Sequence, residues 1–531
     1  MSRDLALVAL ITLTAWGASG CAKSRPATPA ATPAPASVPT VAPPTAPTAP
    51  RSSSPATPTL TTVPAPALTP LERLRNTIAT TVARPGVQRG VWGVIVQSLA
   101  RDERFFELNP RALLVPASVA KLVSAATASE AVGWDYRFET TLRGTGPLVD
   151  GTLRGDLIVA GSGDPAIGGR GGDDMAALVN ALKDLGIRRI EGRVVGDDDA
   201  IEEPRPQSTW GWDDLGYATG AIFGALNFAE NRMGVTVTPA AAEGGTTTLT
   251  VDPQSASRPL INRTVTGRAG SPPLIWPEQR PGETALTIAG SLPAGAAPVP
   301  LSVSSGNPTF WFANRLKYSL QQGGIEVTGE AVDIDDVMPK PDLAATTLLH
   351  TYRSHPLSEM VQPMLKESIN LYGEAAMRLN APRGTLPTND AALEGLRTKL
   401  ASWGIAADAQ QLVDGSGLSR RDVISPEALM AVLRRMSVAG ATSPFFTALP
   451  TAGVDGSLAA RMSGTAAERN VHAKTGTMSN IRSLAGYVTT RDGEPLAFVI
   501  MVNNFEGTGA TAVQAIDAIA VALAEFSRSG N

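Results

Sequence analysis

Histidine and cysteine are the scarcest reactive residues in this 531-residue chain, which has three histidines (His350, His355 and His472) and one cysteine, Cys21. A zinc site needs three or four such ligands at close spacing, and no such cluster is present. A Ser/His/Asp triad stays open in principle, since any of the histidines could serve, but no Gly-x-Ser-x-Gly elbow supports it. A lone cysteine rules out an intramolecular disulfide. Charge is sparse as well. Charged residues make up 18% and the net charge is −4, which gives a nucleic-acid partner no hold.

What is present begins with an export-like start. Arg3 precedes an apolar run from Leu5 to about Trp16, too short for a typical membrane-spanning helix, then Gly17-Ala18-Ser19-Gly20 before Cys21. Residues 1–20 resemble a bacterial lipoprotein signal, in which cleavage before the cysteine precedes its acylation. Ala18 stands where such signals more often carry leucine, and an ordinary secretory peptide is the plainer alternative. Residues 21–70 are almost entirely Ala, Pro, Thr, Ser and Val, too poor in apolar surface to fold. Extended at ~3.1 Å per residue, they make a tether of roughly 150 Å. The expectation is an exported, envelope-located body anchored to a membrane through a lipid on Cys21.

Three short motifs carry the chemistry. In Ser118-Val119-Ala120-Lys121 an amine follows a serine by three residues, so on a helix the two share a face. The amine can then take the hydroxyl proton and activate a nucleophile without histidine. Alone the spacing is weak, expected roughly once by chance in a chain of this length. Ser368-Ile369-Asn370 and Lys474-Thr475-Gly476 follow in order. Ser305-Gly306-Asn307 matches the second pattern too, but it lies in a turn before a helix near Pro308, an ordinary structural use of Ser and Asn.

The surroundings place these motifs. Leu71–Val82 reads as an amphipathic helix, Val91–Val96 and Phe105–Leu108 as paired strands, and Pro116 opens a helix running to about Val132. Ser118 would therefore sit at a helix N-terminus, where its N–H can serve an oxyanion hole. Ser483–Thr490 and Pro495–Asn503 read as strands, closed by a helix from about Ala510 to Phe526. Between them lies a long block of short β-like runs without a nucleophile–base set, read as an inserted module of two small lobes. Asp213-Asp214 within it could do acid–base work, but reads first as a turn. Domains are expected at 71–137 (catalytic, first part), 138–346 (insertion) and 347–531 (catalytic, second part).

The motif set resembles the serine acyltransferases that include penicillin-binding proteins and serine β-lactamases. Three further strings, Gly161-Ser162-Gly163-Asp164-Pro165, Lys366-Glu367-Ser368-Ile369-Asn370-Leu371-Tyr372 and Asp414-Gly415-Ser416-Gly417-Leu418-Ser419-Arg420, narrow it. With them the chain looks like a class C low-molecular-mass penicillin-binding protein, the D-alanyl-D-alanine carboxypeptidase/endopeptidase family, from about Leu71 to Phe526. The resemblance implies an α/β fold: a β-lactamase/transpeptidase-like α/β/α sandwich with an antiparallel sheet, split by inserted lobes. It implies hydrolysis of the D-Ala-D-Ala bond of peptidoglycan stem peptides, and of cross-links, with β-lactams as covalent inhibitors and no metal or organic cofactor. Ser118 would be the nucleophile and Lys121 the base, its pKa lowered by burial and by Lys474. Ser368 and Lys474 would relay the proton, and Asn370 would hold the substrate amide. Thr475 with Lys474 would bind the terminal carboxylate, Gly476 would admit the substrate backbone, and Thr477 N–H with Ser118 N–H would form the oxyanion hole. Ile369 and Met478 depart from the family pattern. Two other readings compete: a β-lactamase, which needs a water-activating group that cannot be singled out here, and a catalytically silent wall-binding scaffold.

Overall fold

The computed structural model describes residues 68–530 apart from 171, 173, 253–257 and 281. The expected signal peptide, Cys21 and nearly all of the expected tether lie outside the described residues.

Five strands, β1 (Val91–Ser98), β2 (Arg104–Leu108), β3 (His472–Met478), β4 (Ile481–Thr489) and β5 (Pro495–Asn503), form one antiparallel sheet. Their order is β2-β1-β5-β4-β3, so the chain builds it from two distant segments. Both faces are apolar, as a sheet covered on both sides requires. Along β5, Leu496, Phe498, Ile500 and Val502 enter one core while Ala497, Val499 and Met501 enter the other. The covering helices are α1 (Pro70–Val82), α2 (Ala120–Val132), α3 (Leu357–Lys366), α4 (Asn370–Arg378), α5 (Asn389–Ser402), α6 (Pro426–Ser437) and α7 (Gly509–Glu525). Leu74 and Ile78 of α1 join Ile516 and Ile519 of α7 in the first core, and α2 to α6 share the second. The layers are those of the expected α/β/α sandwich. Helix α1 starts where its sequence directs: Thr69 and Glu72 cap each other's backbone, and Pro70 occupies the first turn.

Between α2 and α3 the chain makes sheets of its own. The largest orders Ala331–Asp333, Val194–Asp197, Leu157–Ala160, Glu139–Gly144 and Thr347–Arg353. Thr347–Arg353 pairs antiparallel with Glu139–Gly144, so the chain leaves and re-enters the catalytic part side by side. Residues 347–353, expected to open the second catalytic segment, therefore belong to the inserted sheet. Pairing across 200 residues set that edge, and local pattern does not record it. The expected two lobes share one core, with Leu142 and Leu157 of the largest sheet, Trp311 and Phe312, and Val235 and Ile288 of two three-stranded sheets in one cluster. Asn307 caps the helix Pro308–Gln322 by accepting Phe310 N–H at 2.9 Å. In the Gly161–Pro165 string, Ser162 Oγ accepts Glu139 N–H at 2.8 Å and Asp164 accepts Ala166 N–H at 2.9 Å.

Candidate active site

Ser118 lies in a 3₁₀ turn, Ala117–Val119, that runs into α2. Ala117 takes a left-handed φ of 49°, which costs a residue with a Cβ and must be held by its surroundings. Ser483 Oγ donates to Pro116 O at 2.6 Å. Two glycines close in behind. A Cβ on Gly476 would collide with Pro116 O and Ser483 Oγ, and one on Gly417 (φ 76°) with Ala117 O. Gly476, expected to admit substrate, does not line the cleft. It admits the Ser118 turn.

One turn along α2, Lys121 has no exposed surface. Its Nζ stands 2.9 Å from Ser118 Oγ, 2.7 Å from Asn370 Oδ1 and 2.8 Å from Ser416 O. Two of these three oxygens are pure acceptors, so a neutral amine would spend its two protons on them and turn its lone pair to the Ser118 hydroxyl. Burial pushes the Lys121 ammonium down to about 7, against the raising influence of Asp414, Glu374 and Asp422. Burial first, and then the charge of Lys121, holds Lys474 well below the usual lysine range.

The Asp414–Arg420 string builds the carbonyl that holds Lys121. Asp414 accepts the N–H groups of Ser416 (3.1 Å), Gly417 (2.6 Å) and Ser419 (2.8 Å), and Glu374 accepts those of Gly415 and Ser416. These two acids and Asp422 are buried together, so burial and the Asp414 charge raise Glu374 to about 7 and push Asp422 well up.

Ser368 joins α3 to α4 with a left-handed φ of 66°. Two salt bridges anchor the residues just before it: Lys366 pairs with Asp455, and Glu367 with Arg170, which also meets buried Glu230. Lys474 Nζ donates to Ser368 Oγ at 2.9 Å and to Thr475 O at 2.8 Å. Having no exposed surface, Lys474 cannot touch a substrate carboxylate from this position. Thr475 reaches the cleft, with Oγ1 donating to Ser457 Oγ at 2.7 Å. Asn370 is engaged at both ends, since its Nδ2 donates to Thr219 O at 2.8 Å while its Oδ1 takes Lys121. Ile369 packs against the main core, and Met478 lines the cleft.

Ser118, Ser368, Asn370, Thr475 and Thr477 line one cleft of about 670 Å³. Its far wall comes from the inserted module and from the Asp414 string. Asp213 and Asp214 stand there with exposed Arg420, whose Nη2 donates to Ser479 O at 3.2 Å. The turn expected at Asp213-Asp214 is present, with Asp214 N–H bonded to Gly211 O at 3.0 Å, and both residues also line the cleft. Burial and then Asp213 raise Asp214, while Arg420 lowers it. Sequence reasoning missed Ser416, Glu374, Thr219 and Arg420 as parts of the site. The Asp414 string was the only signal that pointed at any of them.

A serine and a buried amine in contact, at the start of a helix packed against an antiparallel sheet between helical layers, define a serine acyl-transfer enzyme without histidine. Residues 74–526 match the model of the D-Ala-D-Ala carboxypeptidase 3 (S13) family. The chain is 35% identical over 470 residues to a D-alanyl-D-alanine carboxypeptidase of Actinomadura sp. (strain R39), covering 86% of this chain and 85% of that one. It is 27% identical to the D-alanyl-D-alanine carboxypeptidase DacB of Haemophilus influenzae, covering 78% and 85%. The solved structure of penicillin binding protein 4 from Haemophilus influenzae superposes with a TM-score of 0.74 at 25% identity, over 85% of this chain and 99% of that one. The chain belongs to the D-Ala-D-Ala carboxypeptidase 3 (S13) family, and is a serine-type D-Ala-D-Ala carboxypeptidase of peptidoglycan stem peptides.

Proposed function

We propose that Ser118 is the nucleophile and Lys121 its base. The observation that carries this is the buried Lys121 amine, 2.9 Å from Ser118 Oγ with both its remaining contacts on pure acceptors. Ser118 Oγ attacks the carbonyl of the penultimate D-Ala as its proton passes to Lys121, and the N–H groups of Ser118 and Thr477 take the oxyanion, a contribution of a few kcal/mol. The C–N bond breaks when the proton taken up by Lys121 passes to Ser368 Oγ, to which Lys474 donates at 2.9 Å, and from Ser368 to the leaving D-Ala amine. Water then cleaves the acyl-enzyme ester and restores Ser118. Thr475 and its partner Ser457 supply hydroxyls for the terminal carboxylate. Asn370 holds the substrate amide after letting go of Thr219 O. Asp213, Asp214 and Arg420 present both signs of charge to the rest of the stem peptide, which suits a side chain bearing an amine and a carboxylate. A cross-linked arm can enter the same chemistry as leaving group, giving endopeptidase action.

β-Lactams fit the same acylation step, and a Haemophilus influenzae relative at 25% identity has been solved with one. Intact mass after mixing with benzylpenicillin tests the assignment: a lasting penicilloyl adduct on the parent and none on Ser118→Ala. An adduct on Ser118→Ala sinks it. Rapid penicillin turnover without an adduct moves the reading to a β-lactamase.

The sequence divides as 71–137 and 347–531 for catalysis around 138–346, with Thr347–Arg353 moved into the inserted sheet by its pairing. Export to the cell envelope follows from a wall substrate. Among the described residues no helix is long and apolar enough to cross a membrane. The lipoprotein-like start of residues 1–20 supports an anchor of acyl groups on Cys21. A Cys21→Ala chain that still partitions into the detergent phase overturns that anchor.

A further inference from the structure

A second cavity, of about 630 Å³, opens in the inserted module one chain segment away from the catalytic cleft. Trp212, Leu215 and Gly220 line it, while Gly211, Asp213, Asp214 and Thr219 of the same segment line the cleft. The segment is tied to the catalytic machinery at Thr219, whose carbonyl accepts Asn370 Nδ2. A volume of this size is within the few hundred to a thousand Å³ of ordinary small-ligand sites.

The wall opposite that segment carries Arg258, which is 8% exposed. Its Nε donates to Thr284 O at 3.1 Å, Nη1 to Ser304 O at 3.4 Å and Nη2 to Gln279 Oε1. All three acceptors are neutral. Among the described residues no carboxylate comes within ion-pair distance of Arg258, while the similarly buried Glu230 has two arginines. A guanidinium withdrawn from water and bonded only to neutral groups keeps an uncompensated charge, a costly arrangement unless an anion completes it. Burial alone lowers Arg258, to about 10, which leaves it charged at neutral pH. The indole of Trp212, 63% exposed, and the half-buried ring of Phe310 add apolar surface. Glu283 and Asp336 add the opposite charge, so the cavity offers complements to both ends of a zwitterion.

We propose that this cavity is a second binding site, one that takes the carboxylate of a short peptide arm held next to the arm in the catalytic cleft. The identity of the arm as a stem peptide rests on the peptidoglycan reading above, whereas the carboxylate preference rests on Arg258 alone. Because one segment walls both sites, an arm seated on Arg258 and Trp212 buttresses the side of the cleft that bears Asp213 and Asp214.

The test uses the full chain with Ser118 first acylated by benzylpenicillin, so that the cleft is closed to peptide. The probe is a synthetic stem pentapeptide ending in D-Ala-D-Ala, titrated calorimetrically beside the same peptide with its carboxylates amidated. Saturable binding of the free acid is expected, at least tenfold weaker for the amidated peptide and for Arg258→Gln. Trp212→Ala, at an exposed position, should weaken binding by a similar factor and guards against a folding defect in the buried variant. Both variants should take up penicillin within about twofold of the parent rate. No binding to the acylated protein, or binding indifferent to amidation and to both substitutions, overturns the proposal. If penicillin leaves no adduct, that failure belongs to the Ser118 assignment. The same titration in Ser118→Ala protein, with and without Arg258→Gln, then decides the cavity.

Discussion

A lysine amine bonded to two oxygens that only accept is informative at the scale of one residue, because it fixes which proton inventory leaves a lone pair for Ser118. On the proposed role of Lys121 as base, its neutral form does the work, and with its ammonium held at about 7 by burial that form grows as pH rises through neutrality. Penicillin acylation of Ser118, followed by intact mass over pH 5 to 9, should therefore show an ascending limb centred near pH 7. Lys121→Met should lower the acylation rate by about 10² to 10⁴-fold and abolish the limb. A parent profile flat from pH 5 to 9 would remove Lys121 from the role of base. The same residue marks how far sequence reading reaches. Ser118, Lys121, Ser368 and Lys474 were legible because their types and order are chemical statements in themselves. That burial outweighs the neighbouring carboxylates at Lys121 depends on distances that spacing does not encode.

Among elements, legibility follows the range of the interaction. Helix α1 with its Thr69–Glu72 cap and strands β4 and β5 with their apolar positions were readable from local pattern. The Ser118 turn was not. Its tight geometry comes from β3 and the Asp414 string pressing on it, through two glycines whose absent side chains are needed by Pro116 O and Ala117 O. From sequence, Gly476 between a threonine and a threonine invited a substrate role, and only the packed sheet reassigns it. The Ser368 turn repeats the lesson. A left-handed serine between two helices is held by Lys366–Asp455 from the catalytic part and by Glu367–Arg170 from the insertion. A segment without a nucleophile or base of its own thus contributes an ion pair to the turn that bears Ser368.

At the scale of the whole molecule, the question is whether insertion and catalytic part melt as one body. Phe138, Ile201, Phe223 and Ala225 enter the same core as α2 to α6, so the insertion is not packed apart. Cooperative unfolding should then report buried charges from both parts in one transition. Asp164, in the insertion, is raised to about 7 by burial and by Asp174, and Glu374, in the catalytic part, to about 7 by burial and Asp414. A carboxyl whose folded pKa lies above its ordinary 3.8 or 4.5 contributes stability that is complete below about pH 4 and lost as pH climbs through 7. Lys121 has the opposite sense. Its folded value of about 7 lies below the ordinary 10.5, so the unfolded chain binds more protons between the two and stability rises with pH across that window. These groups together predict a shallow minimum in the thermal midpoint near neutral pH. Asp164→Asn should flatten the acidic side and Lys121→Met the alkaline side, each within a single transition followed by calorimetry from pH 4.5 to 10. Two separate transitions, with Asp164→Asn moving only one, would show that the shared core does not bind the parts into one cooperative unit. Profiles that stay parallel to the parent would show instead that these buried groups do not govern the pH dependence.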